Sequence, residues 1–543
     1  MGEQSTSRLR GFTSTFWLAI VFEFFERGAY YGMMSFLSVY LTEQLHFSKE
    51  SVGLIKGTIQ PLLYFLPILS GAIADRFGYR RTLLIAFSLL GGGYFLTSQM
   101  TSYTAVFLAL VVMGLGAGIF KPIISSTIAR TTDETTSSLG FGIYYWSINL
   151  GAFLFPLILV PYLKNSFGPR AVISASALAT GSMLLPTLLA FRDPQRPKTT
   201  TKLLQTLANA FEIVYSPLVL LFHLGHAQDA RAIVALAVGV AVVLAGVLLF
   251  AVAGSFVLLF VSILLVVAVA IMGVRQRRVR QPFLPAAVAA VALLFWLLPG
   301  LSLFTKIVVT ILYGTIFSIF TIEYESVEKA TANFKFLLMI LIYSGFWILY
   351  FQMFDSVLWY VHDYVDATPL NRAVNGALGA IGLQANWFFD VEHVTVINAG
   401  TIIALQLVVS AIVKKTRALP TMIAGILLGT IGMAILAISP SIWVFAVGII
   451  IFSIGEMTAH PKFFSYVGMT APKDRVATYM GYIFLYGVIG SSIGAILGAR
   501  LYVHFVDTLH QPRVLWLLFS GIGVVTIAGL LTYDKLLADK TSA

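Results

Sequence analysis

Residues 14–40 read STFWLAIVFEFFERGAYYGMMSFLSVY. The stretch is long enough to cross a bilayer core, which takes about 20 mostly apolar residues. It also carries three charges near its middle, Glu23, Glu26 and Arg27. Charge at membrane depth is expensive, so a span that keeps three has a use for them. Outward from this segment the apolar pattern recurs near 50–74, 81–99, 103–128, 138–162 and 170–191, which completes a set of six. A second set of six lies near 335–361, 386–413, 419–437, 441–468, 477–505 and 513–533. Lipid leaves no partner for an open backbone, so these spans read as helices. The ten-residue alternation of a membrane β-barrel is absent. Arg8 and Arg10 precede a long first span with no small-residue cleavage site, so the N-terminus reads as uncleaved.

Composition agrees. Of 543 residues, 58% are apolar types and only 11% are charged, against about 25% charged in soluble domains. That excludes an ordinary soluble enzyme, a nucleic-acid module and a disordered scaffold. The absence of cysteine excludes a disulfide framework, thiolate metal sites and thiol catalysis. The net charge of +11 reads as basic cytoplasmic loops rather than as a nucleic-acid surface. The basic clusters are Arg8/Arg10, Arg76/Arg80/Arg81, 192–202, 275–280, Lys414/Lys415/Arg417 and Lys535/Lys540. All fall on one side if both termini are cytoplasmic and the insert between the two sets holds an even number of spans. Residues 203–226 suit an interfacial amphipathic helix, and 232–273 and 283–322 each suit a hairpin of two spans. The reading is four inserted spans, with two also compatible. The expected organisation is an N-terminal six-helix bundle over 1–191, a linker with inserted hydrophobic helices over 192–334, and a C-terminal six-helix bundle over 335–543. Paired sets of six suggest two transporter halves with a site between them at the midplane.

The intramembrane charges are the candidates for chemistry. Spacings of three and four place Glu23, Glu26, Arg27, Tyr30 and Met34 along one helical face. Burial raises a carboxyl pKa and a nearby cation lowers it, so such a cluster can take and release a proton. The plainer alternative is a static ionic staple. Lys121, in the fourth span, is the natural partner for Glu23 or Glu26, against the alternative of a lysine reaching to an interface. Glu456 lies deep in the tenth span and suits a bound cation or proton. Asp355, His362 and Asp363 lie in or at the end of the seventh span, and Asp390, Glu392 and His393 at the start of the eighth. The last trio has no known metal-ligand spacing, and no metal or cofactor is expected. Tyr30, Tyr31, Tyr64, Tyr145, Trp347 and Trp387 flank the charged positions, where tyrosine hydroxyls can bind a polar ligand while the rings pack its side chains. Gly71, Asp75, Arg76 and Arg80, between the second and third spans, read as a gate or latch. Sequence signatures of metalloproteases and phosphate-binding loops are absent, and an enzyme is not expected.

Several segments together resemble a known family. SGAIADRFGYRR, residues 70–81, resembles the signature of the major facilitator superfamily. EFFERGAYYG (23–32), FKPII (120–124), YYWSINLGAF (144–153), FWILYFQMFDS (346–356), GEMTAHPKFFSYVGMTAP (455–472) and MGYIFL (480–485) resemble, in order, segments of the proton-dependent oligopeptide transporters. The resemblance implies an all-α major facilitator fold and a proton-coupled symporter of di- and tripeptides or peptide-like molecules, working by alternating access in a cell membrane. It implies proton coupling by Glu23, Glu26 and Arg27 with Lys121, and a proton-linked or gating role for Asp363. Tyr30, Tyr31, Tyr64 and Asn149 would line one half of the substrate site, and Trp347 and Glu456 the other. Four positions depart from the family pattern. Gly28 stands for a phenylalanine, Met34 for the arginine that meets the peptide carboxylate, Glu392 for a span-eight asparagine and Ile483 for a tryptophan. With Glu392 expected in the substrate site, a lost cation and a gained anion there leave two alternatives open: a transporter of a cationic or neutral non-peptide compound, and a non-transporting membrane sensor or subunit.

Overall fold

The structure, a computed structural model, describes residues 12–133, 136–194, 327–383, 386–471 and 476–538. The inserted spans expected near 232–273 and 283–322, the interfacial helix expected over 203–226 and the arginines at 8 and 10 lie outside the described residues. Among the described residues, 12–194 and 340–538 belong to one compact unit.

Twelve helical spans are present among the described residues. The first six are Ser14–Met34, Lys49–Phe77, Tyr79–Gln99, Tyr103–Thr131, Ser137–Leu154 continued to Phe167, and Pro169–Ser182 continued by Leu184–Leu189. The second six are Val327–Phe351 continued by Ser356–Tyr364, His393–Val413, Ala418–Leu436, Ile442–Thr470, Val476–Tyr482 continued by Leu485–Leu501, and Pro512–Leu536. Ten are long and apolar enough to cross a membrane. The first, at 21 residues, fails that test because Glu23, Glu26 and Arg27 sit in its middle. Local chemistry sets the helix starts. The Thr13 and Ser48 hydroxyls accept from the amides of Phe16 and Ser51, each supplying a helix with one of its missing N-terminal acceptors. Gly78, at φ 103°, makes the sharp turn between the second and third spans.

Inside lipid the helices gain nothing from leaving water, so close approach through small residues does the packing. A Cβ at Gly93 would stand 2.5 Å from the Met113 amide nitrogen, and one at Gly425 would stand 2.7 Å from the Gly455 carbonyl. The two halves meet through the same device. Gly53 of the second span approaches the Ala495 carbonyl of the eleventh, and Gly400 of the eighth approaches the Phe153 ring of the fifth.

Two spans are broken near the end where the first finishes and the second begins, here called the distal end, and helix resumes beyond each break, over Leu37–Val39 and Ser356–Tyr364. The first span, expected to run to 40, ends as an α-helix at Met34, where the Ser35 hydroxyl donates back to the Gly32 carbonyl at 2.8 Å. The seventh, expected to run unbroken over 335–361, tightens at Gln352–Phe354 and breaks at Asp355. The eighth span begins at His393, seven residues later than expected. A short helix, Thr368–Ala380, precedes it. Asn375 donates to the Trp387 carbonyl and accepts its amide, while Asn371 accepts the Phe389 amide. These side chains hold 387–389 out of the helix by offering the backbone other partners.

Candidate functional site

In the first half, the ion cluster is built within one helix. The Arg27 guanidinium pairs with Glu26, its Nε at 2.5 Å from Oε2, and stands 3.5 Å from Glu23 Oε1. All three side chains are buried, and Glu26 Oε1 has no hydrogen-bond partner among the described residues. Two carboxylates thus share one cation in contact. Lys121 makes no ion pair among the described residues. Its ammonium lies 4.8 Å from the Tyr64 ring and 4.9 Å from the Phe484 ring, a cation–π seat, and it acts electrostatically on Glu23 and Glu26 from there. The expected direct pairing is therefore replaced by an aromatic cradle.

In the second half, Asn398 donates to Glu456 Oε2 at 3.0 Å and to the Ser453 hydroxyl at 2.8 Å. Tyr31, Tyr64 and Tyr145 of the first half and Tyr343 and Tyr350 of the second all lie within electrostatic reach of Glu456. Tyr145 is 48% exposed. Trp347 packs against Tyr486, Tyr350 and His460, with ring centroids 4.3, 4.6 and 5.0 Å apart. Tyr31 meets Phe354 and Tyr64 meets Phe351 across the halves. The structure therefore gathers Tyr31, Tyr64, Lys121, Trp347 and Glu456 around one aromatic-lined region. Tyr30 sits beneath the Arg27 guanidinium at 5.4 Å, and the Asn149 amide donates to the Tyr145 carbonyl of its own helix. Met34 is buried. At Gly28 a Cβ would stand 2.5 Å from the Phe155 ring, so a ring from the fifth span fills the volume where the related pattern has phenylalanine.

Several expectations take different places. Glu392, expected in the substrate region, stands at the distal end against Lys164, because the late start of the eighth span leaves it outside the helix. Asn398, which the sequence reading missed, is the residue that faces Glu456. Asp363 is not brought to Glu23 and Glu26. It joins Lys49 at 3.5 Å, Tyr502 at 3.0 Å and His362 at 2.8 Å at the distal end. Arg80 is a rim brace within the first half: its amide reaches Asp193, and its guanidinium reaches the Thr187 and Leu188 carbonyls. The side chains of Gly71, Asp75 and Arg76 lie outside the described residues.

The distal end holds the deepest ion pair among the described residues. Lys56 and Asp355 approach to 2.5 Å, each 1% exposed. The break in the seventh span frees the Phe354 carbonyl, which accepts from both Lys56 and Ser38, at 2.5 and 2.7 Å. Helix breaks leave such carbonyls without intrahelical donors. Lys56 escaped the sequence reading, although a lysine six residues into the span expected over 50–74 is the same signal that singled out Lys121.

Fold and charge placement define a multi-pass, all-helical membrane protein of two six-helix halves. Residues 16–361 match the family described as Major Facilitator Superfamily, and the chain belongs to that superfamily. Its likenesses within it are to peptide transporters. Dipeptide and tripeptide permease B of Salmonella typhimurium is 32% identical over 157 residues, 28% of this chain and 32% of the relative. Dipeptide and tripeptide permease A of Klebsiella pneumoniae is 29% identical over 239 residues, 41% of this chain and 47% of the relative. The chain thus spans a third to a half of the length of these curated relatives. Among solved structures, the POT family transporter PepTSo aligns at a TM-score of 0.67 and 17% identity, over 96% of this chain and 97% of that one. A POT family transporter in complex with a thioalcohol-conjugated peptide aligns at 0.63 and 19%, over 96% of both chains. At such identities the likeness is one of fold.

Proposed function

We propose that the chain is a proton-coupled symporter of di- and tripeptides or peptide-like small molecules. It works by alternating access, with both termini cytoplasmic and the distal end facing out. The single observation that carries this reading is the division of charge around one aromatic-lined region: Glu23, Glu26 and Arg27 with Lys121 on one half, and Glu456 held by Asn398 on the other. Two carboxylates with one contacting cation leave one acid able to carry a proton. Glu456 suits a substrate ammonium, and Lys121 is the cation left for a carboxylate. The likeness to dipeptide and tripeptide permeases supports the same substrate class. An inward proton contributes about 2.3 kcal/mol per 100 mV to accumulation.

In this reading the distal ties, Lys56–Asp355, Lys49–Asp363 and Lys164–Asp390, hold the outer end closed. The test is uptake of a labelled dipeptide into proteoliposomes with and without an inward proton gradient. Gradient-driven accumulation competed by unlabelled peptides is expected. Its absence in folded, inserted protein overturns the proposal. Met34 favours a second reading, in which the substrate is an amine or a neutral compound with no carboxylate. Competition by amines but not by peptides would select it.

A further inference from the structure

A second acid pair sits at the distal end, apart from the substrate region. Lys164, from the fifth span, places its ammonium 2.6 Å from Asp390 Oδ2 and 2.7 Å from Glu392 Oε2, both from the other half. Asp390 is 30% exposed, while the Glu392 side chain is fully buried at the N-cap of the eighth span. Glu392 Oε1 is buried with no hydrogen-bond partner among the described residues. The neighbouring His393 brings no compensating charge. Its Nδ1 lies 3.0 Å from the Asp390 amide and 3.2 Å from the Asp390 carbonyl; the amide can only donate, and accepting it leaves the ring proton on Nε2 and the imidazole neutral. Lys164, Asp390 and His393 are the charged and titratable groups that face Glu392 among the described residues. With both acids ionised the closed cluster carries one uncompensated negative charge, which is costly to bury.

We propose that Glu392 is a proton-loading site of the distal closure: the two halves come together there around the Lys164–Asp390 pair when Glu392 is protonated, and ionised Glu392 favours their separation. The proton sits on Oε1, leaving Oε2 as the carbonyl that accepts from Lys164. Burial lifts the Glu392 carboxyl above the usual range, and the Lys164 ammonium opposes this only in part. Once the halves part, water returns the group toward its ordinary value. The closed state therefore binds the proton more tightly, so lowering the pH through the raised pKa favours closure and raising it favours opening. One proton changes the closed-to-open ratio by at most about tenfold per pH unit. The inference rests on the carrier reading only for its use: an acidic exterior would shut the outer end behind a loaded site.

The chain has no cysteine, so thiols introduced at the exposed positions Ser166 and Asn386 carry the only spin labels. The distance between them, measured in nanodiscs without substrate from pH 8 to 5, reports closure. The parent protein should gain the short distance on acidification. Glu392→Gln, which mimics the protonated acid, and Asp390→Asn, which leaves one anion for one cation, should each hold the short distance at every pH. A pH response that survives Glu392→Gln belongs to another group at this end, such as His362, and overturns the proposal. So does a long distance at every pH in both variants. If Glu392→Gln does not fold, Asp390→Asn alone decides. Dipeptide uptake is scored separately, so a pH response without uptake removes the carrier reading and leaves this one standing.

Discussion

The molecule holds two clusters of the same composition, two acids and one cation, built in opposite ways. Glu23, Glu26 and Arg27 lie within five residues of one helix. Lys164, Asp390 and Glu392 come from segments more than 220 residues apart. The first cluster moves as a unit with its helix, so its geometry survives any rocking of the halves. The second exists only while the halves touch at the distal end. In the proposed carrier, similar charge arithmetic would serve different ends: a site that carries a proton, and a tie between the halves.

Four changes test that contrast. The largest effect is expected at Lys56, the buried form of the cross-half tie. Lys56→Ala leaves Asp355 buried without its cation and should lower stability by about 3–5 kcal/mol, read as a fall in the melting point of purified protein. Lys56→Met with Asp355→Leu should recover most of that stability, since an apolar pair replaces a buried ion pair at little cost. A single variant as stable as the parent would show that the tie is not what holds this end.

Next is Glu26→Gln, within the single-helix cluster. It should remove gradient-driven accumulation, a loss of roughly 50-fold at 100 mV, while substrate exchange without a gradient persists. Full accumulation in this variant would assign proton coupling to other groups. Glu456→Gln removes the charge that Asn398 orients and should weaken binding by about 1.5 kcal/mol, roughly tenfold in apparent affinity, most strongly for substrates with a free amine. Equal loss for amine-blocked substrates would deny Glu456 that role. The smallest effect is expected at Arg80, which braces one half and ties nothing across. Arg80→Ala should cost about 0.5–1 kcal/mol of stability and leave the pH dependence of transport unchanged. A shifted pH profile would make this rim part of the moving parts.

The Glu23–Glu26–Arg27 cluster was legible because helical spacing alone brings i, i+3 and i+4 together. Lys121 and Glu456 were legible because charge at span depth is rare. Lys56 carries the same signal, and its omission came from reading the second span for length without its charges. Glu392 and Asn398 were exchanged because an apolar run does not mark where a helix begins. Side chains of Asn371 and Asn375, eighteen and twelve residues before the backbone they bind, set that boundary. The partner of Lys164 could not be read at all.

By itself the sequence determined a helical membrane protein of two six-span sets, with acids and a cation in its first span, because apolar length and helical period are local properties of the chain. Only the tertiary structure decided which charges meet across the halves, that Lys121 rests on rings instead of carboxylates, and that Phe155 fills the space beside Gly28. Those outcomes depend on how closely helices approach and where they break, and such distances are set by packing between segments far apart in the chain.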